Sequence, residues 1–435
     1  MKKRASASKL SIFIIMVIMT AVSSNLNWGD DNWKDIIEAD GKGYYAYLPA
    51  VFIYHDLNFG FFQKIEQEKY YNKNIFYDYR SYSNGKTINK YYCGTAIAEL
   101  PFFLVAHCLS HIYGNDTDGF SKLYTVFISV AALFYLFLGL IFLNNSLGLY
   151  NIKEWQKSLV LFASVFGTNL FYYTVSEPAM SHVFSFAFVS MFFYYSLKYF
   201  SSFQKKYIPA LAITAAIIIL IRPVNGLVFL IFPFAAGSYD NLKKGIAEFF
   251  HNKTMLIISA IMFLLIISLQ FIIYKISTGS FFVYSYTEEG FDFFHPHFID
   301  ILFSYKKGLF LYTPLFLLSL TGTIYLWKSE RFSFYSWFVF FIIVTYILSS
   351  WWCWYYGGSF SSRVYVEFIP FFMVLLAIAL NKIKRKSVKI TLITLIVLFT
   401  LLCQVQTYQY RYYQIHWSEM TKEKYWDVFL RIDKI

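Results

Sequence analysis

The chain has 435 residues, 57% hydrophobic and 15% charged, with a formal net charge of +12. Soluble globular domains carry about 25% charged residues. Here the apolar residues come in continuous runs close to the roughly 20 that a bilayer-crossing helix needs. That excludes a soluble fold, and also a β-barrel of short alternating strands. The Lys and Arg residues fall in short clusters between apolar runs, as cytoplasmic loops of membrane proteins require. The positive charge therefore implies no nucleic acid. The 50 Phe and 38 Tyr suit an interfacial aromatic belt or a sugar- or lipid-binding cleft. The base composition of an AT-rich genome accounts for them more simply, so their abundance alone assigns no function. Cys93, Cys108, Cys353 and Cys403 lack metal-ligand spacing and read as inert thiols, although Cys93 and Cys353, both at segment edges, invite a disulfide.

Lys2, Lys3, Arg4 and Lys9 precede an apolar stretch over 10–22, read as a retained anchor rather than a cleaved signal. Residues 25–93 then form the longest polar region, the first external loop. Within it, Tyr44 to Tyr54 is a short amphipathic piece expected to lie at the interface, and Ser83-Asn84-Gly85-Lys86 reads as a turn. Apolar segments follow near 95–112, 122–143, 157–175, 179–197, 207–221, 224–238, 255–274, 309–327, 333–350, 364–380 and 388–404. Arg222-Pro223-Val224-Asn225 joins two short ones as a hairpin or a helix broken inside the membrane. Residues 275–308 and the tail 405–435 are further external polar regions. The expectation is an all-α polytopic membrane protein of about 11–13 transmembrane or re-entrant helices, one domain over 1–435.

Charge sets the topology. Lys198/Lys205/Lys206, Lys243/Lys244, Lys328/Arg331 and Lys382–Lys389 mark cytoplasmic loops. Counting back from them leaves Glu177 and the loops 275–308 and 351–363 outside. Counting forward from a cytoplasmic N-terminus gives the opposite side for Glu177 if 95–112 spans. Either 95–112 or the 207–238 hairpin therefore does not cross simply.

Candidate chemistry gathers at segment ends. Asp40, in Glu38-Ala39-Asp40-Gly41, can be a general base, a metal ligand or a solvated loop residue. Glu177 and His182 flank the start of an apolar run, where they can hold a cation, position an acceptor hydroxyl or simply cap a helix. Arg222 lies at a depth that asks for an anionic partner, unless it snorkels. Lys306 and Lys307 stand on the external side, where basic residues are disfavoured and a lipid phosphate would explain them. The cluster Trp351 to Arg363 includes Tyr356 and ends four residues before Glu367. That spacing lets Arg363 and Glu367 face one another on a helix, or lets Glu367 orient Arg363 toward a phosphate.

These stretches, Asp40–Pro49, Gly167–His182, Arg222–Asn225, Lys307–Pro314 and Trp351–Glu367, together resemble the GT-C superfamily of integral membrane glycosyltransferases. The likeness is to the protein O-mannosyltransferase and aminoarabinose transferase kind, in its bacterial members. The resemblance implies sugar transfer from a polyprenyl-phosphate donor, with inversion, on the outer face of the bacterial cytoplasmic (inner) membrane. The acceptor would be a lipid, a polysaccharide or a protein. It implies Asp40 as base or acceptor orienter and Glu177 as a second acidic group. Arg222, Lys307 and Arg363 would contact phosphate, and His182, Asn225, Lys306, Tyr356 and Glu367 would complete the substrate site. Many relatives carry a paired acid in the first loop, whereas here Gly41 follows Asp40. A divalent cation, held by Asp40, Glu177 and His182 if by any residues, stays open. The alternative is a transporter or flippase of lipid-linked glycan, which broken helices and membrane arginines also suit.

Overall fold

The structure, a computed structural model, describes residues 6–70, 76–83 and 85–433. Lys2, Lys3, Arg4 and the turn residue Asn84 lie outside these. Among the described residues the regular structure is helical except for one antiparallel hairpin, β1 (Arg80–Ser83) and β2 (Lys86–Asn89). Among the described residues, eight helical stretches are long and apolar enough to cross a membrane. A polytopic helical membrane protein is what the composition required.

Helix α1 (Ala7–Asn27) leads into the first loop, which holds a short 3₁₀ turn (Asn32–Asp35) and helices α2 (Asp40–Tyr45) and α3 (Tyr47–Phe52). The helical piece expected over Tyr44–Tyr54 is thus present, broken at Ala46. Protein covers most of it, and Val51 and Phe52 carry its exposed apolar surface. Next come α4 (Gly94–Tyr113), α5 (Lys122–Leu149), α6 (Glu154–Phe166), α7 (Leu170–Val175) and α8 (Ser181–Ser202). The run expected as one segment over 157–175 is divided between α6 and α7 at Gly167–Asn169. Ser8 Oγ donates to Glu154 Oε2 (2.8 Å) at one end of α1, and Asn27 bonds the Val175 carbonyl at the other. The two rods therefore run side by side in the same direction.

Helix α9 (Tyr207–Ile221) stops at Arg222. Pro223 opens a 3₁₀ stretch (Pro223–Ile231), continued by α10 (Phe232–Ala236). Phe232 packs on Phe200 and Tyr207 on Tyr195, both late in α8, while Asn225 reaches Ser185 near its start. The segment is a hairpin whose tip carries Arg222 to the N-terminal end of α8. Helices α11 (Tyr239–His251) and α12 (Lys253–Thr278) follow, then α13 (Phe298–Phe303). The run expected over 309–327 is three short pieces, α14 (Leu309–Tyr312), α15 (Leu315–Ser319) and α16 (Thr321–Ser329), with Pro314 at the first break. After α17 (Arg331–Ser349) a 3₁₀ turn (Arg363–Phe368) enters α18 (Ile369–Lys382), whose middle is wholly buried. Helices α19 (Lys386–Arg411) and α20 (Lys422–Val428) end the chain. The tail folds back on α19 through Gln406 to Tyr425 (2.7 Å).

Both ends of α4 are tied to the first loop, which settles the count of sides. At its start, Asn89 donates to the Gly43 carbonyl (2.7 Å) and Tyr47 to the Tyr91 carbonyl (2.6 Å). At its end, Tyr45 bonds the Gly119 carbonyl, and Lys69 pairs with Asp116 and Asp118. A helix that leaves and re-enters one compact loop does not change sides, whatever its length. Glu177 and the first loop therefore share a face. All four cysteines are free thiols, so the Cys93–Cys353 disulfide is not formed.

Candidate functional site

One cavity of about 1120 Å³ opens on that face. Its wall carries Asp40, Glu38, Glu177, Arg222, Tyr356 and Arg363 from stretches far apart in sequence, with Tyr44, Tyr91, Tyr286 and Arg411. Two backbone features aim Asp40. Ala39 has φ 46°, a strained value for a residue with a side chain. Gly41 packs so close that a Cβ there would lie 2.9 Å from Ala179 Cβ. Only a glycine lets the loop carrying Asp40 press on the loop carrying Glu177.

Asp40 Oδ2 accepts from Arg363 Nη2 (2.7 Å) and Oδ1 from the Tyr91 hydroxyl (2.7 Å), which in turn meets Tyr77 (2.6 Å). Burial opposes the charge on Asp40. The Arg363 guanidinium and the Tyr91 hydroxyl outweigh it and hold the carboxyl below its ordinary range. Glu177 accepts from the Tyr172 hydroxyl (2.9 Å) at Oε1, and its Oε2 is buried without a hydrogen bond. Burial pushes its pKa to about 7, against the pull of Arg363 and Tyr172. Glu38 is pushed to about 8, first by burial and then by the charges of Glu177 and Asp35.

A second polar layer lies behind this wall. Glu367 is fully buried, and its Oε1 meets His182 Nδ1 (3.0 Å) and Arg222 Nη1 (3.2 Å). The Arg222 guanidinium carbon stands 5.9 Å from the Tyr356 ring centroid. The expected pairing of Arg363 with Glu367 does not occur. In a 3₁₀ turn, residues four apart diverge by about 120°, where in an α-helix they nearly align. Arg363 turns to Asp40, and Glu367 turns inward to Arg222.

Lys307 is buried behind the wall, near the Tyr410 ring (4.9 Å), and donates to the Ser359 carbonyl. Burial draws its pKa down to about 7, against the charge of Glu177. Lys306 lies 3.5 Å over the Tyr355 ring, and Asn225 is held by Ser185. His182, Asn225, Lys307 and Glu367 thus stand behind the cavity rather than on it, and Lys306, half-buried over Tyr355, does not line it. The cation set Asp40, Glu177 and His182 does not assemble, because His182 is committed to Glu367 and both Asp40 oxygens to Arg363 and Tyr91. Among the described residues no group of three or more His, Cys, Asp or Glu is arranged to hold a metal ion.

Sequence reasoning passed over Tyr91, Tyr44 and Arg411. The tyrosines were hidden in an overall excess of tyrosine. Arg411 belonged to a tail given no role, yet it donates to Ser176 (3.0 Å) beside Glu177.

The fold and site define a multi-pass membrane protein with an acid- and arginine-lined cavity at one end of its helices. No family model matches the chain, and no curated protein matches it. Among solved structures it is similar to the apo oligosaccharyltransferase of Archaeoglobus fulgidus, at 12% identity and a TM-score of 0.46. The match covers 97% of this chain and 60% of that one, so the chain spans about three fifths of that protein's length. At that level the likeness says nothing of activity.

Proposed function

We propose that the protein is a glycosyltransferase of the GT-C kind, moving a sugar from a polyprenyl-phosphate donor to an acceptor hydroxyl. The reaction takes place at the outer face of the bacterial cytoplasmic membrane. The observation that carries this reading is the meeting of Asp40 with Arg363 and Arg222 on one cavity wall. The clusters Lys205/Lys206, Lys243/Lys244 and Lys382–Lys389 lie toward the opposite end, which favours an external cavity.

In the resting site Arg363 neutralises Asp40. A donor phosphodiester offers Arg363 and Arg222 two non-bridging oxygens, an anion that the planar guanidinium fork can hold by paired hydrogen bonds. Drawing Arg363 toward phosphate leaves Asp40 less stabilised and a better proton acceptor. The acceptor oxygen then bonds to the anomeric carbon while its proton passes to Asp40. The bond from that carbon to the phosphate oxygen breaks, and its electron pair leaves with polyprenyl phosphate. The arginines stabilise the charge that develops there. Attack opposite the leaving group inverts the anomeric centre. Glu177, poised near neutrality, is the second acidic group beside this path.

The test is transfer by the purified protein from a panel of polyprenyl-phosphate sugars, read by product mass. Asp40→Asn is expected to lower turnover about 10²- to 10⁴-fold, the usual span for a lost general base. Unchanged turnover removes Asp40 from the chemistry. Absence of any product across the panel removes the transferase reading.

A further inference from the structure

The segment 279–303, from the end of α12 through α13, holds the two most exposed large apolar side chains among the described residues. Phe294 is 93% exposed and Phe282 is 81% exposed. Apolar groups left outside in a cluster mark a protein contact or a membrane contact. The neighbours of these two decide between them.

Phe282 packs on Phe271 (ring centroids 5.0 Å). Phe271 is seven residues before the end of α12, about 10 Å back along a helix of spanning length. That helix is nearly bare of protein cover, and its apolar surface stays exposed beyond this level, at Ile272 and Ile276. Lys275, one turn past Phe271, reaches the Gly279 carbonyl (2.5 Å) and stands 5.2 Å from the Phe281 ring centroid. This is how a lysine leaves an apolar layer for the polar edge above it. The other limb of the segment lies on α17. Phe338, Val339, Ile342 and Tyr346 form an exposed apolar row on that helix. The Tyr346 ring stacks on Phe293 (6.1 Å), and its hydroxyl donates to the Phe293 carbonyl (2.7 Å). Phe293 thus extends the row, with Phe294 exposed beside it. The polar side chains in between are paired within the segment, Asp292 with His295 (2.9 Å) and Asp300 with His297 (2.9 Å). Aromatic and paired polar groups mix in this way at the headgroup level.

The inner side of the same segment belongs to the cavity. Tyr284, Ser285, Tyr286, Glu289 and Phe291 line it, and among the described residues none of α12 or α17 does. Glu289 pairs with Lys90, and Ser81 donates to the Ser285 carbonyl (2.7 Å), which fixes the segment to the first loop. The Trp352 amide donates to the Gly290 carbonyl (3.0 Å) from the other side.

We infer that segment 279–303 is seated in the membrane leaflet on the cavity side, with Phe282, Phe293 and Phe294 against the upper acyl chains of lipid. Between α12 and α17 it is the wall that parts the cavity from the bilayer. Lipid is the occupant because both limbs continue faces that spanning helices turn to the bilayer. The inference holds whether or not the protein transfers sugar.

The test uses the full chain in nanodiscs, with single cysteines in a background whose four native cysteines are serine. Each carries a nitroxide, and power-saturation EPR compares collisions with oxygen, which concentrates among acyl chains, and with a nickel chelate, which stays in water. Leu265→Cys, on the exposed middle of α12, is the lipid reference, and Glu288→Cys is the water reference. At Phe282→Cys and Phe294→Cys the oxygen-to-nickel ratio is expected to be fivefold or more above that at Glu288→Cys. Both replaced side chains are exposed, so Tm should stay at that of the cysteine-free parent. In the otherwise native chain, p-benzoylphenylalanine in place of Phe294 is expected to gain the mass of a phospholipid on irradiation. A ratio at either site equal to that at Glu288→Cys puts the segment in water and overturns the inference. Low collision rates with both reagents, or cross-linking to protein alone, mean that protein covers the patch and overturn it equally.

Discussion

Glu177 has a carboxyl oxygen buried with no hydrogen bond and a pKa near 7. In the unfolded chain it would release its proton near pH 4.5. Between those values the folded state holds a proton that the unfolded state has lost, so stability falls as pH rises. The full cost, about 3 kcal/mol, is reached above about pH 7. Glu177→Gln removes the charge and keeps an acceptor for Tyr172. It is expected to raise Tm over the parent protein at pH 8 and to make little difference at pH 4.5, as thermal unfolding in nanodiscs will report. An equal effect at both values would mean that the carboxyl is ionised throughout. Asp40 has the opposite sign: its carboxyl is held below the ordinary range, and its contribution is lost only as pH falls into the acid range. Residue types and local stretches were legible at this scale. Asp40, Glu177, Arg222 and Arg363 stood out because charged groups at the ends of apolar runs are costly without a purpose. Which of the charged groups pair did not, since nothing in Arg363-Val364-Tyr365-Val366-Glu367 announces a 3₁₀ turn rather than an α-helix.

At the scale of elements, the position of Arg222 depends on how closely α4 approaches α9. A Cβ on Gly94 would lie 2.2 Å from the Ile221 nitrogen and 2.6 Å from the Leu220 oxygen. Neither atom can move without shifting the turn that carries Arg222. Gly94→Val is therefore expected to cost about 2 kcal/mol, as overpacked cores do, and to weaken donor binding although residue 94 does not line the cavity. Measuring Tm beside donor affinity checks this, and unaltered affinity would show that the turn tolerates displacement. Long apolar helices such as α5, α12 and α19 were readable from sequence because composition alone dictates them. The breaks at Gly167–Asn169 and near Pro314 were read through as continuous runs. Their neighbours are apolar, and the packing that supplies partners for interrupted backbone comes from other helices.

Across the whole molecule, topology rests on α4, a helix of spanning length that starts and finishes against the first loop. Single cysteines in a background with the four native ones replaced by serine provide the check. Asn115→Cys is expected to react with a membrane-impermeant maleimide from the same side as Glu288→Cys. Lys243→Cys should react only after permeabilisation. Labelling of Asn115→Cys together with Lys243→Cys would mean that α4 crosses and that the first loop is divided between two sides.

Sequence by itself determined that this is a helical membrane protein, where its basic loops fall and which charged residues are out of place. Those are consequences of transfer free energy, which each segment carries without its neighbours. Only the tertiary structure decided that Asp40 meets Arg363, that Glu367 belongs to Arg222 and His182, and that α4 does not cross. These are contacts between residues as much as 323 positions apart, set by how apolar faces and small residues pack, and no local pattern encodes them.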